Sequence, residues 1–235
     1  MRKNTKFMFA AAVAALLLAG CDKGASYSSF ELSTADFRGA DGAKTHWAAQ
    51  GLYWNNDDVV VINGNEHTIH GSGRSWSTSG QPTDDIDDYF YVAYPYGQMS
   101  ADGTTVSGVD FSGGAVPLAC KGKTNKLTLY PCCAVIKVSD WVSGISFYNE
   151  DGEAGTQDGK VLTEGSINVV NNTVFGDTEI DYNSPMSPVE SIDGYNYFVI
   201  PMDGGAMQAV IDFDYSQQTN GPVELRAGYL YTVDI

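Results

Sequence analysis

Two segments near the C-terminus alternate between apolar and polar residues with a period of two. Met207, Ala209, Ile211, Phe213 and Tyr215 share one face of the first, opposite Gln208, Asp212 and Asp214. In the second, Tyr229, Tyr231, Val233 and Ile235 oppose Leu230, Thr232 and Asp234. Successive side chains of a strand point to opposite sides, so this pattern belongs to half-buried strands of an antiparallel sheet. No long stretch carries helical spacing. Instead, short runs rich in β-branched and aromatic residues are separated by Gly, Asn, Asp and Ser turns, which predicts an all-β sandwich or barrel. The run Val59-Val60-Val61-Ile62 does not alternate and reads as a central strand covered on both faces.

The N-terminus has a different character. Arg2, Lys3 and Lys6 precede an apolar run from Phe7 to Ala19, followed by Leu18-Ala19-Gly20-Cys21. Basic, apolar and small-residue segments in that order mark an export signal, and the run is too short for a permanent membrane span. The Leu-Ala-Gly-Cys ending resembles the bacterial lipobox, which implies a signal peptide over residues 1–20 and lipidation at Cys21. Several acyl chains hold a protein stably to a bilayer, so the expected membrane partner is reached through this anchor. Residues 21–29 read as a tether.

Three of the 13 basic residues lie in the leader, so the processed chain keeps ten against 29 acidic residues, a net charge of −19. Such a charge repels phosphate backbones and argues against nucleic acid as a partner. Besides Cys21 there are Cys120, Cys132 and Cys133. Export permits disulfides, but three thiols cannot all pair. Adjacent strand residues point oppositely, so at most one of Cys132 and Cys133 is placed to reach Cys120. One bridge or three buried free thiols are both open.

The search for reactive chemistry gives no catalytic, cofactor or metal residues, and no enzyme is expected. His67 and His70 are three apart on a strand-like segment, which puts them on opposite faces, and His46 stands apart. Asp151-Gly152-Glu153 with Asp158-Gly159 lacks calcium-loop spacing and reads as a hairpin turn. Gly71-Ser72-Gly73-Arg74-Ser75 lacks the P-loop ending, and no nucleophile elbow is present. Aromatics crowd the first half: Trp47, Tyr53, Trp54, Trp76, Tyr89, Tyr91, Tyr94 and Tyr96. Most lie inside strand-like runs and read as core, although glycan-binding surfaces use the same residues.

Five segments, in order, resemble fimbrillin-like lipoproteins of the Bacteroidetes. They are Tyr53-Trp54-Asn55-Asn56-Asp57-Asp58-Val59-Val60-Val61, Phe90 to Tyr96 around Ala93-Tyr94-Pro95-Tyr96, Leu127 to Val138, Tyr197 to Pro201, and Leu225-Arg226-Ala227-Gly228-Tyr229-Leu230-Tyr231-Thr232-Val233. The resemblance implies two tandem transthyretin-like antiparallel β-sandwiches, here residues 30–139 and 140–235. It further implies a lipid-anchored outer-membrane protein at the cell surface, joined to other fimbrial subunits by β-strand addition. In that family a protease cuts after an Arg in the N-terminal strand, which carries over to Arg38 and Gly39 in this chain; the plain alternative is a surface Arg in a turn. The sequence departs from the pattern where Asn56-Asp57 replaces Gly-Asp and where Cys132 or Cys133 replaces a His. It also stops at Ile235, directly after the closing strand, which points to an anchor, tip or accessory subunit or an adhesin for an unspecified surface ligand. The alternative function is a glycan-binding surface lipoprotein for nutrient capture. An exposed coplanar pair of aromatics beside Asn and Asp side chains would favour it.

Overall fold

A computed structural model of the protein describes residues 24–39, 57–72, 75–214 and 217–233. Cys21, His46, Trp47, Tyr53 and Trp54, with their predicted roles, lie outside the described residues. The strands in chain order begin with β1 (Ser26–Tyr27), β2 (Glu31–Thr34), β3 (Arg38–Gly39), β4 (Val59–Ile62), β5 (Asn65–Ser72) and β6 (Ser75–Gly80). Next come β7 (Thr83–Asp84), β8 (Phe90–Tyr94), β9 (Gln98–Met99), β10 (Thr105–Asp110), β11 (Leu118–Gly122) and β12 (Lys126–Pro131). The later strands are β13 (Ala134–Ser139), β14 (Ile145–Tyr148), β15 (Leu162–Asn168), β16 (Thr173–Glu179) and β17 (Glu190–Ile192). The chain closes with β18 (Tyr195–Ile200), β19 (Ala206–Phe213), β20 (Gln217–Gln218), β21 (Val223–Arg226) and β22 (Tyr229–Val233). The fold is all-β, as the sequence predicts, and the described residues contain no helix.

Seven strands close into a barrel in the order β11-β12-β2-β6-β5-β4-β8. A five-stranded sheet, β17-β18-β13-β22-β3, faces the sheet of β14, β19 and β20, with β21 also paired to β19. A third sheet, β16-β15-β10-β9, joins a hairpin from the second half of the chain to strands from the first. Most pairs are antiparallel; β2 with β12, β13 with β22, and β22 with β3 run parallel. Each parallel pair joins strands far apart in sequence, since a parallel neighbour needs a long crossover. β13, the last strand before residue 140, pairs on both sides with strands from beyond it.

Three apolar clusters explain the strand patterns. The first fills the barrel and reaches Val135, Val199 and Leu230 of the five-stranded sheet. The second packs Ile136, Phe198 and Ile200 from the other face of that sheet against Met207, Ala209, Ile211 and Phe213. The third lies on the outer face of the barrel, where Val61, Tyr91 and Ala93 meet Val106, Ile167 and Val174. β4 therefore cannot alternate: Val60 and Ile62 point into the barrel while Val61 points to the third cluster. β8 is buried along its whole length for the same reason. β19 buries Met207, Ala209, Ile211 and Phe213 on its apolar face, as predicted. Asp212, expected on a polar face, is also buried; it accepts a hydrogen bond from Gln218 Nε2 at 2.8 Å. Gln218 is the register partner of Asp212 on β20, so the two side chains lie side by side on that face.

Candidate functional site

The chain from Ser28 to Gly39 threads two sheets in succession. Within it only Phe30, Leu32, Phe37 and Gly39 are buried, yet the first three join the barrel core. β2 is a stave of the barrel, with β12 on one side and β6 on the other. Glu31 N–H donates to the Asn125 carbonyl at 2.7 Å and Ala35 N–H to the Leu129 carbonyl at 2.8 Å. On the opposite side Thr78 N–H donates to the Phe30 carbonyl at 2.9 Å and Gly80 N–H to the Ser28 carbonyl at 3.1 Å. Three residues beyond β2 the segment crosses to the five-stranded sheet, where β3 lies parallel to the edge of β22.

Phe30 is fixed by a polar relay inside an apolar barrel. Its N–H donates to Thr78 Oγ1 at 3.1 Å, and Thr78 Oγ1 lies 3.4 Å from His67 Nδ1. His67 Nε2 lies 2.8 Å from Thr83 Oγ1. Thr83 Oγ1 accepts from Asn65 Nδ2 and donates to the Gln81 carbonyl. With that proton committed, Nε2 carries the imidazole hydrogen and Nδ1 accepts from the Thr78 hydroxyl. The ring of Phe30 meets the His67 ring edge-on, with centroids 5.2 Å apart. Burial of His67 lowers its pKa and favours the neutral ring.

Arg38 is exposed, and its N–H donates to the Gly228 carbonyl at 2.8 Å. Gly39 is buried and pairs with Leu230. The bond between them thus sits in an extended, edge-paired strand and not in a turn.

His67 is buried while His70 is partly exposed, with Nε2 2.7 Å from Ser79 Oγ, so the two do face opposite ways. Glu153 N–H donates to Asn149 Oδ1 across the Asp151-Gly152 turn. Among the described residues no group of His, Cys, Asp and Glu is arranged to hold a metal. Cys120, Cys132 and Cys133 are all free and buried. Burial pushes the Cys120 thiol up to about 12 and the other two upward as well, which makes all three poor nucleophiles. Trp76, Tyr91 and Tyr94 are core residues, and Tyr94 donates to Asp58 Oδ2 at 2.9 Å. Lys121 Nζ stands 3.8 Å from the Tyr89 ring centroid.

A groove of about 430 Å³ opens where β3, the end of β12 and three turns of the second half meet. Asp36, Arg38, Tyr130, Asn171, Arg226 and Tyr229 contribute to its walls. Sequence reasoning missed this grouping because its members come from five separate stretches of chain. It also missed the relay, because Thr78 and Thr83 resemble any other strand hydroxyls.

No protein-family model matches the sequence, and no curated protein matches it either. Among solved structures, the chain is similar to a proposed cell adhesion protein from Bacteroides uniformis at 14% identity and TM-score 0.46, covering 88% of this chain and 92% of that one. It is similar to a fimbrial protein from Bacteroides ovatus at 13% identity and TM-score 0.40, covering 88% of this chain and 48% of that one. A fimbrial assembly protein from Parabacteroides distasonis aligns at 13% identity and TM-score 0.34, over 88% of this chain and 90% of the other.

Proposed function

We propose that the protein is a lipid-anchored surface subunit of fimbriae, structural or adhesive, whose N-terminal segment is the element exchanged on assembly. The observation that carries this reading is the placement of β2 as a barrel stave ending just before an exposed Arg38. A cut after Arg38 would free one segment that includes β1, β2 and the anchor at Cys21. The gap left between β12 and β6 would expose unpaired backbone groups and the seats of Phe30, Leu32 and Phe37, each worth roughly 1.5–3 kcal/mol of apolar transfer. An opened sheet of that kind accepts an extended strand from another chain, which satisfies both deficits.

The lipobox at Leu18 to Cys21 supports the anchor, and the five ordered motifs support the fimbrillin-like reading with two tandem transthyretin-like units divided near residue 140. Outer-membrane, cell-surface placement and partnership with other fimbrial subunits belong to the same reading. N-terminal sequencing of protein sheared from cells tests it. Chains beginning at Gly39 are expected, together with loss of acyl labelling in Cys21→Ser. Only full-length acylated chains, in shed polymers and membranes alike, would refute exchange.

A further inference from the structure

The groove beside Arg38 has a chemistry that strand exchange does not use. Tyr130 is half exposed on the outer face of its strand, opposite the buried Leu127 and Leu129. Tyr130, Tyr229 and Asn171 line one concavity. Arg38 and Arg226 lie there with Asp36, and Glu224, outside the lining, pairs with Arg226 at 2.8 Å. The volume falls within the range of small-ligand sites.

These features select a ligand class. A phenol ring offers a flat apolar face with a polar rim, which suits the C–H face of a pyranose. Planar guanidinium and carboxylate groups present paired donors or acceptors at the spacing of neighbouring hydroxyls. The processed chain's net charge of −19 repels acidic polymers. We propose that this groove binds a neutral glycan, with a sugar ring seated on Tyr130 and its hydroxyls held by Asn171 and Arg226, which remain in the chain after a cut at Arg38.

The test is affinity electrophoresis and calorimetry of the full-length protein in detergent. The probes are a β-glucan, a galactomannan and an arabinogalactan, with polygalacturonate as the acidic comparison. At least one neutral polymer should retard the protein, and Tyr130→Ala should weaken that binding by up to about tenfold, the worth of one aromatic contact. Tyr130→Phe keeps the ring and should bind as the parent does. Trp141→Ala removes an exposed aromatic that is not among the groove residues and should change nothing. Retardation by none of the neutral polymers would overturn the proposal. So would preference for polygalacturonate, or equal losses in Tyr130→Ala and Trp141→Ala. Because the uncut chain is used, the result is independent of whether Arg38 is ever cleaved.

Discussion

In the barrel, the N-terminal segment has a strand on either side and three large side chains inside the core; in the five-stranded sheet it has two residues and, among the described residues, one neighbour. The same stretch of chain is therefore an interior stave at one end and, among the described residues, an edge strand at the other. Removing it should open the barrel, yet the cluster between the five-stranded sheet and β19 draws on none of its residues. The lesson is that the two halves depend unequally on residues 24–38.

The largest expected effect comes from a chain that begins at Gly39. Hydrogen exchange should show β6 and β12 losing protection while β14 and β19 keep theirs. Uniform loss across both regions would break the comparison. Next, Phe30→Ala should cost about 3–5 kcal/mol in urea unfolding, since it empties a fully buried site. His67 would also lose the ring packed edge-on against it.

A smaller effect is pH-dependent. Unfolded chains take up a proton on the His67 ring near its ordinary value of 6.5, whereas the folded ring takes one only at lower pH. Stability from this group is present above 6.5 and is lost as the pH falls from there through the folded value. In His67→Gln that part of the slope should vanish; an unchanged slope would remove His67 from the account. The smallest effect belongs to Arg38→Ala. The side chain is exposed and the backbone bond to Gly228 survives, so the unfolding midpoint should stay essentially unchanged. A drop like that of Phe30→Ala would mean the edge matters as much as the stave.

Much of this architecture is readable from residue order. Period-two runs predict β19, and the unbroken Val59 to Ile62 run predicts a strand between two cores. The opposite faces of His67 and His70 follow from their spacing alone. What the sequence conceals is partnership. Glu31-Leu32-Ser33-Thr34 carries one buried residue and no turn signal, and its parallel neighbour Lys126 to Leu129 lies far along the chain. Period reports which face of a strand is covered, not by which strand, so the stave and the groove emerge only when distant segments are brought together.

The position of β2 also bears on mechanics. If Cys21 is fixed in a membrane, a pull on the body of the protein enters through residues just ahead of Ser26. Tension along the strand axis then acts on the bonds to Asn125 and Leu129 and on those from Thr78 and Gly80 together. Bonds stressed in parallel on both flanks break as a group, and the rate of that rupture, not the equilibrium stability, sets how long the anchor holds under drag.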